Sequence, residues 1–196
     1  MIIRKLRKNP ARHVVLSEDE TDLRLFPRLR GAWTRKGETH KVKLSGYNAK
    51  RVVFGSINVK TGKRLYLVTE HGAGEDFRTY LKYVRRHYRG WQIVMLNDGY
   101  SCHTANESAS FAKSIGIELV RRPIRCPELN PVEGIWRDAK KTICANRQYS
   151  SIDEESARFI TYLELQSNHT ALTKSELLSE DFWLHEFVSK NFCEPT

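Results

Sequence analysis

The chain has 196 residues, 40% of them hydrophobic and 10% aromatic, and its 33 Lys and Arg against 23 Asp and Glu give a formal net charge of +10. That length implies one domain, or one with a small appendage, and the hydrophobic content excludes wholesale disorder. No apolar run approaches the roughly 20 residues of a membrane span, and the basic start Met1-Ile2-Ile3-Arg4-Lys5 leads into no hydrophobic stretch of a secretory signal, so a soluble, intracellular, globular chain is expected.

Residues 12–17 read as a strand that runs into the acidic cluster Glu18-Asp19-Glu20. A polar, basic stretch follows, with Pro27, Gly31 and Gly37 marking turns around Trp33. Residues 51–59 and 64–69 are β-rich runs joined by Lys60-Thr61-Gly62-Lys63, which reads as a hairpin. Over 75–89, Phe77, Tyr80, Leu81 and Val84 recur at the spacing of an amphipathic helix. Residues 91–96 form a buried-type strand ending at Asn97-Asp98-Gly99, followed by a short helix over 104–114 and a strand at Ile117-Glu118-Leu119-Val120. Helices are expected over 131–145, 151–167 and 174–190. Strands mixed with crossover helices imply an α/β fold, a mixed sheet with helices on its faces and a helical C-terminal end.

Charge divides the chain unevenly. Residues 1–149 hold 30 Lys and Arg against 14 Asp and Glu, whereas residues 150–196 hold 3 against 9, so a body of +16 precedes a tail of −6. A basic body suits a polyanion, because Lys and Arg that neutralise phosphates release condensed counterions; a merely solvated surface would look the same. The four cysteines, Cys102, Cys126, Cys144 and Cys193, form no Cys-x-x-Cys pair, which favours reduced thiols over a zinc site or a disulfide framework.

Three carboxylates stand out by position. Asp19 and Asp98 follow expected strands, where functional groups of open α/β sheets collect, and Glu133 begins an expected helix. If these elements are neighbours the acids converge, and converging carboxylates raise one another's pKa and call for a hard cation such as Mg²⁺ or Mn²⁺. Singly, each has a structural account. Glu18, Glu20 and Asp22 compete with Asp19, Asp98-Gly99 is a common turn dipeptide, and Asn130-Pro131-Val132-Glu133 resembles a helix cap with Glu at N3.

Together the motifs around these acids carry a resemblance. Leu16-Ser17-Glu18-Asp19-Glu20-Thr21 precedes Leu25-Phe26-Pro27 and Gly31-Ala32-Trp33. Val94-Met95-Leu96-Asn97-Asp98 is followed by His103 five residues after the Asp. Cys126-Pro127-Glu128-Leu129-Asn130-Pro131-Val132-Glu133-Gly134-Ile135-Trp136 completes the series, with 34 residues between Asp98 and Glu133. From about Arg12 to Ala145 the chain resembles the DDE transposases of the mariner superfamily, especially their bacterial insertion-sequence relatives. It departs from them at Gly99, where a polar residue is usual, and at Arg122-Pro123-Ile124-Arg125, where a Pro-Pro-Tyr run is common.

The resemblance implies a ribonuclease-H-like fold over 12–149, a basic segment over 1–11 and an acidic helical extension of the same domain over 150–196. It implies a DDE endonuclease that cleaves and joins DNA strands at mobile-element ends, with Asp19, Asp98 and Glu133 holding two Mg²⁺ (or Mn²⁺) ions. Double-stranded DNA is the expected partner, with a homodimer on DNA and a cytoplasmic, nucleoid-associated location in a bacterium. Trp33, Lys36, His103, Arg137, Lys140 and Lys141 are candidate DNA contacts, each with a packing or solvated-surface alternative. Family members carry helix-turn-helix units before the catalytic domain, so the short chain is expected to be an incomplete transposase, supplied with such a region from an upstream frame or left as an inactive or split-gene remnant. A structure-selective nuclease of the same fold is the other alternative.

Overall fold

The computed structural model describes residues 13–39, 41–42, 44, 46–99, 106–123, 126, 129–183 and 185. Among them, five strands build one sheet: β1 (His13–Arg24), β2 (Lys50–Asn58), β3 (Arg64–Thr69), β4 (Gln92–Asn97) and β5 (Ile117–Arg121), in the order β3-β2-β1-β4-β5. β1 pairs antiparallel with β2, and β2 with β3, while β4 runs parallel to both β1 and β5. The helices described in full are α1 (Gly74–His87), α2 (Asn106–Ser114), α3 (Pro131–Ala139), α4 (Ile152–Leu165) and α5 (Asn168–Lys174). No helix among the described residues is long and apolar enough to cross a membrane.

Alternation along the strands divides the interior into two cores. Val14, Leu16, Phe54, Ile93 and Met95 pack with Phe77, Tyr80, Leu81 and Val84 of α1 and Ala112 of α2. On the other face Val15, Leu23, Val53, Ile57, Val94 and Leu96 pack with Val132, Ile135 and Trp136 of α3, Phe159 and Leu163 of α4, and Leu172 of α5. The central strands are therefore covered on both sides, as a crossover topology requires.

The expected elements hold, with three differences. β1 continues to Arg24 rather than ending at Ser17, because its acidic half pairs with β2 residue by residue, from Leu16↔Asn58 to Arg24↔Lys50. Asp19 consequently lies within a strand, not after one. The helix expected over 131–145 is α-helical only to Ala139, then widens into a π turn at Lys140–Cys144, closed by the Ala145 amide donating to the Lys140 carbonyl at 3.0 Å. Over the first part of the helix expected at 174–190 the described residues instead hold the end of α5 at Lys174 and a run of turns, with Glu176 at a left-handed φ of 58°; residues 186–190 of that expectation lie outside the described residues.

Candidate active site

The parallel register of β1 and β4 runs from His13↔Gln92 to Ser17↔Leu96. Asp19 lies two residues beyond the last of these pairs on β1. Alternation along β1 puts Asp19 on the face that Val15, Val94 and Leu96 share with α3; Asp98 comes one residue past the end of β4. α3 begins at this end of the strands. Asn130 is its N-cap, accepting from the Val132 amide at 3.2 Å, Pro131 occupies the first turn, and Glu133 stands exposed at the third position.

Asp19 is the buried member, 7% exposed. Trp136, one turn beyond Glu133, donates from its indole Nε1 to Asp19 Oδ2 at 3.1 Å. The ring reaches that position because the residue opposite Asp19 in the sheet is Gly55: a Cβ there would lie 2.4 Å from the indole. Phe159 of α4 stacks on the far side of the indole at 6.0 Å between centroids, and Tyr66 of β3 meets it at 5.7 Å. A glycine inside a strand marks such a close approach.

Burial pushes the Asp19 carboxyl up from its ordinary 3.8 to about 7; Glu18 and Glu133 add to the rise, while Arg122 and a hydrogen bond from Asn130 oppose it. Glu133 is thus near enough to act on Asp19 electrostatically. Arg122, 5% exposed, lies among these acids, and Asp19, Glu18, Asp98 and Glu20 all favour its charge against the cost of burial. No three His, Cys, Asp or Glu side chains among the described residues close into a metal-binding cluster. The donor set nevertheless fits a hard divalent cation. Asp19 and Asp98 both act on Arg122, Glu133 acts on Asp19 from an exposed side chain, and the buried acid's raised pKa is the one a nearby cation would lower.

The other sequence candidates are more scattered. Trp33 is fully exposed, and Lys36 is exposed on the same long β1–β2 connection. Arg137 and Lys141 are exposed, but Lys140 is half-buried at the start of the π turn, and that burial lowers its pKa. His103 lies outside the described residues, as do Cys102 and Cys193; Cys126 is partly buried and Cys144 is buried. Beside Glu133 a groove is lined by Arg137, Lys174, Ser179 and Phe182. A larger cavity of about 880 Å³ lies at the opposite end of the strands, between His13, Gln92 and Gly116, and holds none of the three acids. Trp136 and Arg122 entered the sequence reading only as motif and flanking positions, and Gly55 only as part of a strand, without the roles described above. Gly55 within Val52-Val53-Phe54-Gly55-Ser56-Ile57 was the available signal for its own role and that of Trp136.

Residues 14–155 match the DDE superfamily endonuclease family. The insertion element IS630 uncharacterized 39 kDa protein of Shigella sonnei is 30% identical over 144 residues, 72% of this chain and 42% of that protein. The transposable element Tc3 transposase of Caenorhabditis elegans is 26% identical over 107 residues, 52% of this chain and 32% of that protein. The chain thus spans less than half the length of these curated relatives. The fold matches the Mos1 transposase paired-end complex with left transposon end, with a TM-score of 0.68, 12% identity and coverage of 96% of this chain and 58% of that one. It also matches the Mos1 mariner paired-end complexes with Mn (TM-score 0.66, 13% identity, 96% and 59%) and with Mg (0.65, 14%, 96% and 59%).

Proposed function

From the premise that the chain belongs to the DDE superfamily endonucleases, we propose that it is the catalytic domain of a transposase that cuts double-stranded DNA at mobile-element ends and joins the freed strand to a target. The observation that carries this reading is the electrostatic neighbourhood of the acids: Glu133 acts on the buried Asp19, and Asp19 and Asp98 both act on Arg122. Supporting it are the Tc3 transposase and IS630 relatives and the fold shared with Mos1 complexes that contain transposon-end DNA, Mn or Mg.

In this reading Asp19, Asp98 and Glu133 hold two Mg²⁺ or Mn²⁺ ions. Bound there, the metal supplies charge stabilisation for in-line displacement at phosphorus by a water or a DNA 3′-hydroxyl. The protein residues supply position. Trp136 and Asn130 both hydrogen-bond the Asp19 carboxyl and so hold its rotation. Asp19 gives up a proton to become a ligand, so with its pKa near 7 metal binding at neutral pH releases protons. The exposed Arg137 and the groove beside Glu133 would take the DNA backbone, with Trp33, Lys36, His103, Lys140 and Lys141 as further contacts. A homodimer on DNA, a helix-turn-helix region supplied from an upstream frame and a cytoplasmic, nucleoid-associated location complete the proposal.

The test is strand transfer. A labelled DNA duplex with a free 3′-hydroxyl is incubated with a supercoiled plasmid and Mn²⁺. Covalent joining of label to plasmid is the expected result. Nicking without joining would replace the transposase with a nuclease of the same fold, and binding with neither reaction would leave a DNA-binding remnant.

A further inference from the structure

Arg122 is the residue that touches every element of the candidate site. Its backbone amide donates to the carbonyl of Asn97 at 2.8 Å, on the residue just before Asp98. Its guanidinium spans the other two elements. Nη1 donates to Ser17 Oγ at 2.8 Å and to Asn130 Oδ1 at 2.6 Å, and Nη2 donates to the carbonyl of Glu18 at 2.9 Å, on the residue just before Asp19. Asn130 in turn caps the helix that carries Glu133. One side chain therefore ties the β1 backbone beside Asp19 to the cap of α3, and its own amide ties both to the end of β4.

We propose that Arg122 is a positioning residue that sets the mutual spacing of Asp19, Asp98 and Glu133 for metal binding, acting through the fork of its guanidinium; this rests on the metal-site reading above. Three features argue for positioning over simple packing. A buried guanidinium is costly unless several acceptors satisfy it, and here the three acceptors stand at the roots of two acid-bearing elements. A planar fork holds two directions at once, which a single ammonium cannot. Its fixed positive charge, coupled to Asp19, Glu18, Asp98 and Glu20, also relieves the repulsion that would splay the carboxylates.

The test compares wild type, Arg122→Lys and Asn130→Ser by calorimetric titration with Mn²⁺ alone, by thermal melting and by amide hydrogen exchange. Lys keeps the charge and loses the fork. Ser keeps a helix cap but is too short to meet Arg122. Both variants are expected to melt within about 5 °C of wild type, to bind Mn²⁺ at least about tenfold more weakly, and to exchange faster at residues 130–133 while α1 is unchanged. Mn²⁺ affinity within twofold of wild type in either folded variant would overturn the proposal. Should Arg122→Lys fail to fold, Asn130→Ser decides alone. If the wild-type chain binds no Mn²⁺, the metal reading fails. Exchange at residues 130–133 then judges the tether by itself, and unchanged exchange there overturns it.

Discussion

Asp19 concentrates the conflict between folding and function at a single residue. Burial raises its pKa from 3.8 to about 7, so the folded chain binds a proton that the unfolded chain has released between these values. Folding is then favoured most below about pH 4 and loses this contribution as pH rises through about 7. At 1.36 kcal/mol per pKa unit the loss is at most about 4 kcal/mol. Asp19→Asn removes the titration while keeping an acceptor for the Trp136 indole. Thermal melts in chelator from pH 4 to pH 8 are expected to show the variant gaining on wild type as pH rises. Parallel curves would contradict the buried-acid account. The cation that the site is proposed to hold would offset the same penalty, so excess Mn²⁺ should narrow the gap at pH 8.

At the scale of elements, the contact between β2 and α3 decides whether Asp19 is held. Gly55 leaves room for Trp136 to lie across the sheet, with a would-be Cβ only 2.4 Å from the ring. Gly55→Ala is expected to destabilise the chain by about 1–3 kcal/mol through overpacking and to displace the indole from Asp19. Trp136→Phe, which retains bulk but no donor, should lose metal-dependent cleavage with a smaller loss of stability. Chemical denaturation and a plasmid-nicking assay check both, and wild-type stability in Gly55→Ala would contradict the packing described. The same contact shows where sequence reasoning stopped. Hydrophobic runs announced β2, β3, β4 and the amphipathic α1, since Phe77, Tyr80, Leu81 and Val84 are all buried. The second half of β1 was not legible, because Glu18-Asp19-Glu20-Thr21-Asp22 carries little strand propensity and its pairing with β2 overrides that preference. Asp19, Asp98 and Glu133 were legible as motif positions. Arg122, Gly55 and Trp136 act through contacts distant in sequence; a glycine inside the β2 run hints at a close approach but not at its partner.

Over the whole molecule, charge and architecture divide the labour. The body of residues 1–149 carries the +16 that suits DNA, and the helices α4 and α5 of the remainder buttress the site. Phe159 and Leu163 of α4 and Leu172 of α5 complete the core under α3. Asp138 of α3 accepts from Tyr162 at 2.7 Å and pairs with Lys174, and Gly134, next to Glu133, allows the end of α5 to approach so closely that a Cβ would meet the Lys174 carbonyl. The acidic segment therefore supports the helix that presents Glu133. The account as a whole stands on three carboxylates acting together, and the direct measurement is Mn²⁺-dependent nicking of a supercoiled plasmid by wild type, Asp98→Asn and Glu133→Gln, with melting temperatures taken alongside. The account predicts nicking by wild type and a loss of about 100-fold or more in each variant at little cost in stability; equal nicking by all three proteins would contradict it.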